Sequence, residues 1–265
     1  MTLYMNKNEL LKMVSGIEDR VMVSRLLDKA EQCRYSSFVY SDFLSPHEAV
    51  IVKRVLDKVD GIFYTFTGGF EGAERVMAAM SSDFIDEEEA LDNAPISYLR
   101  ITPVIDKDLS HRDYLGSILG LGIKREKVGD ILVYENYGDV FLIDKIAEYI
   151  SYNLDKIGNT RVECELQQVY RYTPPERKEK IINTTVASVR ADSVTASGFG
   201  MSRTKVMEYF KAQRVNVNWE PVSNPSKQLS EGDVISIRGK GRILLDKVGG
   251  TTKKDRINII IKRFE

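Results

Sequence analysis

The sequence predicts an α+β fold, on three observations. Apolar residues recur at three-to-four spacing from Leu10 to Leu27, the middle third alternates strand-like and helical runs in a β-α-β-β-α-β order, and a basic stretch beyond a Pro-Pro break mixes short strands with two helices. With 265 residues and 43% hydrophobic content, the chain can hold one large domain or two to three small ones, each burying a modest core.

In the first 80 residues, Leu10, Leu11, Val14, Ile17, Val21, Leu26 and Leu27 line a helical stripe. Ser45-Pro46-His47-Glu48 opens another helix: Ser can cap the first turn, Pro fits the first helical position, and Glu three residues after the cap can reach back to it. Val50, Ile51, Val55 and Leu56 supply its apolar face. Ile62-Phe63-Tyr64-Thr65-Phe66 reads as a short strand ended by Gly68-Gly69, and residues 73–80 read as a helix. Residues 1–80 are therefore expected to form a mainly helical amino-terminal region.

Residues 81–172 are expected to form an α+β domain. After an acidic run at 83–89, which reads as a solvated face, residues 96–104, 131–134, 140–143 and 161–166 are strand-like and 111–121 and 144–154 helical. Helices on one face of a four-stranded sheet satisfy this order, giving an RRM-like middle domain. The basic-Gly-aromatic signature of a standard RRM is missing, so Tyr98 and its aromatic neighbours are expected in the core rather than stacked on bases. Thr173-Pro174-Pro175 and the charged residues after it mark 173–180 as a linker, and residues 181–265 as a separate domain.

Charge separates these parts. The whole chain is nearly neutral, with 38 Lys+Arg against 39 Asp+Glu, but residues 181–265 hold 15 bases and 8 acids, a net of +7. The remaining 23 bases and 31 acids leave −8 on residues 1–180. A basic module on an acidic body is the asymmetry expected of a chain that meets a polyanion through one domain. No apolar run approaches the roughly 18 residues of a membrane span, and the first residues lack the charged-then-apolar layout of a secretory signal. A cytoplasmic location without membrane insertion is expected. Cys33 and Cys164 lie far apart with no CxxC partner, so core thiols are expected rather than a disulfide or a zinc site.

The basic module has a readable organisation. A helix from Ser202 would bury Val206, Met207 and Phe210 and present Arg203, Lys205 and Lys211 on its other face, with Arg214 just past its end. In Val215-Asn216-Val217-Asn218 the valines share one strand face and the amides the other. Arg238-Gly239-Lys240-Gly241-Arg242 separates three cations by glycines that let a backbone approach closely. Guanidinium groups bind phosphate bidentately, ammonium groups add point charge, and Asn216 and Asn218 can reach 2′-hydroxyls, so structured RNA is the expected partner and DNA is not.

Arg190-x-Asp192, Gly200-x-Ser202-Arg203, Val215-x-Val217-Asn218, Pro225-Ser226 and Gly232-Asp233-x-Ile235, in that order, resemble the RNA-binding domain first recognised in ribosomal small-subunit protein S-four. The resemblance implies an S-four-type (alpha-L) fold and adds Arg190 and Ser202 to the candidate RNA-binding set. Two departures fall in turns: Gln213 stands near the helix end where a glycine is usual, and Asn218-Trp219 replaces the usual Asn-Gly. Further upstream, His111-Arg112-Asp113-Tyr114-Leu115-Gly116, Leu119-Gly120-Leu121-Gly122-Ile123-Lys124-Arg125 and Gly129-Asp130-Ile131 are similar to the central signature of the YlmH family, and nearly the whole chain resembles it. That resemblance implies a helical amino-terminal region, an RRM-like middle domain and the S-four-type domain. It also implies association with the large ribosomal subunit, through ribosomal RNA or tRNA, in rescue of stalled translation, and a link to division proteins through the genomic setting of family members.

No catalytic, metal or cofactor-binding residues are expected. His111-Arg112-Asp113 matches the letters of a kinase loop, but the Gly-rich loop, strand Lys and Asp-Phe-Gly are absent, so these residues are expected to anchor a helix or touch RNA. Gly68-Gly69 and Gly120-x-Gly122 are too isolated to bind a nucleotide cofactor, Glu87 to Glu89 diverge in direction too much to hold a metal, and His47 reads as surface. An RNA-modifying enzyme of pseudouridine synthase or methyltransferase type, and a division-associated adaptor, are the alternative readings.

Overall fold

Apolar spacing and capping build the first helices of the structure, a computed structural model that describes residues 7–169, 172–175 and 179–264. The chain divides into two units, Met1–Thr173 and Pro174–Glu265. In the first, α1 (Lys7–Lys12) and α2 (Ile17–Ala30) bury Leu10, Val23 and Leu27 against Val55 and Val59. The stripe read as continuous is thus two helices; the Arg20 Nε–H donates to the Val14 carbonyl at 2.6 Å across the break. β1 (Val39–Tyr40) leads into α3 (Pro46–Leu56), whose capping box is complete. Ser45 Oγ accepts from the Glu48 N–H at 3.3 Å, and Glu48 Oε2 accepts from the Ser45 N–H at 2.6 Å.

β2 (Phe63–Thr67) and β3 (Met77–Ser81) complete an antiparallel sheet of order β1-β3-β2 among the described residues. The helix expected over residues 73–80 is corrected here, because residues 77–80 lie in its central strand. Met77-Ala78-Ala79-Met80 has good helix propensity, but β3 is buried on both faces, with Ala78 and Met80 in the cluster of Leu26 and Val52 and Met77 in that of Phe141. Pairing with two neighbours satisfies its backbone there, so tertiary burial outweighs local preference. The acidic run becomes α4 (Glu87–Asp92), with Asp86 Oδ1 accepting from the Glu88 N–H at 2.8 Å and three carboxylates in a first turn whose dipole favours them.

Next come β4 (Ile96–Pro103), α5 (His111–Gly120), β5 (Val128–Val133), β6 (Gly138–Ile143), α6 (Asp144–Asn153), the short β7 (Lys156–Ile157) and β8 (Thr160–Gln168). Their antiparallel sheet has the order β5-β6-β4-β8-β7. Strand alternation sorts its side chains. Leu99, Ile101, Val140 and Leu142 meet Tyr114 and Ile118 of α5 and Ala147 and Ile150 of α6. On the other face Ile96, Tyr98, Leu132 and Phe141 meet Phe43, Phe70 and Met77 from the amino-terminal part.

A polar seam ties these parts together. Asp130 accepts from the Glu74 and Arg75 backbone N–H groups at 2.7 and 3.1 Å. Arg75 donates from Nε to the Val128 carbonyl at 2.9 Å and from Nη2 to that of Phe43 at 3.2 Å, while Arg125 reaches the Gly129 carbonyl at 3.3 Å. Burial, then the Arg75 charge, pulls the Arg125 pKa down to about 10. Gly129 admits Phe43 so closely that a Cβ would lie 2.7 Å from the ring.

In the second unit, residues 176–178 of the expected linker lie outside the described residues, and its end is corrected: Glu179 and Lys180 already pair with Phe264 and Arg263 as the start of β9 (Glu179–Val186). Then follow α7 (Ala191–Phe199), α8 (Arg203–Lys211), β10 (Val215–Val217), β11 (Glu220–Pro221), β12 (Val234–Ile237), β13 (Gly241–Thr251) and β14 (Ile257–Phe264). The sheet order is β11-β10-β12-β13-β14-β9, and Val194, Phe199, Val206 and Phe210 of the helices pack on Val215, Ile235, Ile237, Ile243 and Ile261.

Gly129→Ala is expected to lower the stability of the first unit by about 1–3 kcal/mol through overpacking against Phe43. Urea unfolding measures it; an unchanged midpoint would refute the close approach.

Candidate nucleic-acid interface

The helix pair of the second unit is organised by a carboxylate. Asp192, in the first turn of α7, is almost wholly buried, its side chain 3% exposed. It accepts from Arg190 at 3.2 and 3.3 Å, from Arg203, and from the Ser193 N–H at 2.8 Å. Burial pushes its pKa up, yet the Arg203 bond, the charges of Arg203 and Arg190 and the Ser193 N–H outweigh that, and the net direction is down. Arg190 and Arg203 are thereby held side by side while their side chains remain 32% and 59% exposed. Gly200, at φ +64°, reverses the chain between the helices, and Ser202 Oγ then accepts from the Lys205 N–H at 3.2 Å as the cap of α8.

A second cluster of cations gathers at the β12–β13 turn. The Arg238 N–H donates to the Arg214 carbonyl at 3.0 Å, and Arg214 Nη2 donates back to the Arg238 carbonyl at 2.6 Å. Arg214 also stacks over Tyr209, 5.3 Å from its ring centroid. Gly239 and Gly241 take φ of +83° and +93°, which turns the chain tightly enough to expose Arg238 and Lys240 together. Arg242, half-buried at the start of β13, lies 4.7 Å over Phe264 and 6.0 Å from the Trp219 ring. Lys211, Arg238 and Lys240 are exposed, and among the described residues none of them forms an ion pair with a carboxylate.

Other candidate residues are engaged by the fold. Ser202 is exposed and caps α8, its hydroxyl oxygen satisfying a backbone N–H. Asn218 closes the hairpin: its Nδ2 donates to Asp233 at 2.7 Å and its Oδ1 accepts from the Val234 N–H at 2.9 Å. Lys205 pairs with Glu208 at 2.9 Å, both exposed, a contact of little strength in water. Asn216 is half-buried in β10 on the face opposite Val215 and Val217. The glycine-replacing residues keep a left-handed backbone, Gln213 at φ +52° and Trp219 at +68°, a conformation that costs a side-chain-bearing residue about 1–2 kcal/mol.

In the first unit, Asp113 caps α5: Oδ2 accepts from the Ser110 N–H at 2.8 Å and from its hydroxyl at 2.6 Å. His111 has its pKa lowered, first by desolvation and then by Arg125, and Arg112 is exposed on the same turn. The sheet face that an RRM would offer to bases is occupied. Tyr98 stacks on Phe141 at 5.6 Å and meets Tyr172 at 4.8 Å, while Asp139, fully buried, takes two bonds of 2.9 Å from Arg100 and one of 2.7 Å from Tyr172. A cleft of about 330 Å³ beside α2 is lined by Val21, Leu26 and Phe43, but Glu18, Asp42, Glu48 and Glu126 outnumber Arg25 and Lys29 around it, an unfavourable balance for a polyanion. Among the described residues no group of three or more His, Cys, Asp or Glu is placed to hold a metal ion, and no helix is long and apolar enough to cross a membrane.

Sequence reasoning missed Asp192 as the organiser and Trp219, Tyr209 and Phe264 as partners of the cations. The Arg-x-Asp spacing signalled the first; only a bulky residue at a usual glycine position signalled Trp219.

Residues 18–83 match the family model "YlmH, N-terminal" and residues 102–171 the model "Putative RNA-binding domain in YlmH". The chain is 35% identical over 225 residues to ribosome-associated protein quality control protein P2 of Bacillus subtilis, covering 84% of this chain and 86% of that protein. A 51-residue stretch is 41% identical to small ribosomal subunit protein uS4 of Desulfotalea psychrophila, 19% of this chain and 24% of that one. Among solved structures, the cell division protein ylmH from Streptococcus pneumoniae matches with a TM-score of 0.50 and 25% identity, over 61% of this chain and 98% of that one.

Asp192→Asn tests the clamp. Because the folded-state pKa lies below the unfolded value of about 3.9, the carboxylate's contribution is present above pH ~4 and lost as pH falls through the depressed value. The variant should lose about 1–3 kcal/mol at pH 7 and show a weaker acid dependence in urea unfolding; an unaltered pH profile would contradict the clamp.

Proposed function

The chain belongs to the YlmH family, and from its geometry we propose that it is a non-enzymatic protein that binds structured RNA through its second unit. The observation that carries this reading is the exposed group Lys211, Arg238 and Lys240, with Arg214 and Arg242 fixed beside them by hydrogen bonds and stacking. Such groups exchange condensed counterions for phosphate contacts with little side-chain freedom left to lose. The RNA is ribosomal RNA or tRNA on the large ribosomal subunit, and the role is quality control of stalled translation; the name of the Bacillus subtilis relative supports that role. The acidic first unit repels nonspecific RNA and is left to contact protein.

Arg203 is a poor mutational probe of binding, since its loss would leave the buried Asp192 carboxylate underpaired. Arg238 and Lys240 are clean ones. With about five phosphate contacts, log K should fall with log salt at a slope near −3 to −4, and Arg238→Ala with Lys240→Ala should flatten that slope by about 1.5 units without shifting the urea midpoint. An unchanged slope, measured by fluorescence anisotropy with ribosomal RNA fragments, would remove this turn from the interface.

A further inference from the structure

The outward face of the second unit's sheet carries a row of groups that phosphate binding alone does not use. Asn216 pairs across β10–β12 with Ser236, and Ser236 across β12–β13 with Arg242, so the three side chains share the face opposite the buried Val215, Val217, Ile235, Ile237 and Ile243. The two-residue turn Asn218-Trp219 has both φ values positive, the geometry of a type I′ hairpin. It delivers the half-buried Trp219 ring to the same row, where Arg242 lies between it and Phe264, 6.0 and 4.7 Å from the two centroids. Glycine would take this turn position without strain, yet the chain's single tryptophan holds it.

We propose that Trp219 is a base-stacking residue: it receives an unpaired nucleobase of the bound RNA, with Arg242 holding the ring in place and Asn216 and Ser236 offering polar contacts along the row. Arg238 and Lys240 sit in the turn at the other end of β12 from the Asn218-Trp219 turn, where they meet phosphates of nucleotides farther along the strand that carries that base. An indole face accepts any base, so this contact distinguishes looped from paired RNA rather than one sequence from another. The inference rests on the RNA-binding reading above and adds to it a preference for unpaired bases.

The lone tryptophan makes the test direct. The full chain is titrated with an RNA hairpin bearing an unpaired purine loop and, separately, with a fully paired RNA duplex of the same length, following tryptophan fluorescence and, by anisotropy, binding of the labelled RNAs. The hairpin should change the fluorescence and the duplex should not. Trp219→Gly, in a turn glycine suits, should melt no lower than the parent chain and bind the hairpin about tenfold more weakly, with Trp219→Phe restoring most of the affinity. Tight hairpin binding that is equal in the parent and Trp219→Gly chains would overturn the stacking role and leave the RNA reading standing. Absence of binding to either RNA would overturn both.

Discussion

Phe141 is the residue around which the first unit is arranged. Its ring contacts Phe70 at 4.6 Å, Tyr172 at 4.9 Å and Tyr98 at 5.6 Å, and the cluster continues through Phe43 and Met77. Two sheets are joined by this contact, so the face of the β-α-β-β-α-β sheet that could stack bases is spent on folding. The aromatic groups there are covered, and Arg100, the cation among them, is committed to a fully buried carboxylate. Residues 1–180 also carry a net charge of −8, an unfavourable balance for phosphates.

The second unit solves the opposite problem, keeping cations close together at its surface. Asp192 sets two guanidiniums next to each other and is itself almost hidden from solvent, so its charge is expressed mainly through the arginines it holds. Farther along, Arg214 is held by a carbonyl and a tyrosine ring, and Arg242 lies against aromatic rings. Carbonyl and ring contacts fix a guanidinium's position while leaving its net charge in place, a distinction that matters for binding a polyanion. The glycines flanking Lys240 serve the same end by making the turn tight.

What could be read from the residues divides by range. Ser45 and Glu48 announce a helix start because the interaction spans three positions, and the alternation through residues 96–168 is written in the local pattern of buried and exposed side chains. Residues 77–80 could not be read, because Ala and Met favour a helix locally and only the helices and sheet on either side make them a strand. Among the candidate site residues, Ser202 and Asn218 also take backbone partners, as short polar side chains beside a turn do. Asp192 lay within a recognised motif, but its role depends on burial and on a residue eleven positions away, which spacing alone does not show.

On the proposed reading, RNA is met by the cationic edge of the second unit and not by the aromatic sheet face of the first. Ultraviolet crosslinking of the full chain to ribosomal RNA, with crosslinked peptides identified by mass spectrometry, tests it most directly. Crosslinks are expected within residues 205–219 and 238–242 and none at Tyr98 or Phe141. Crosslinks concentrated on Tyr98 and Phe141, with none in the second unit, would contradict it.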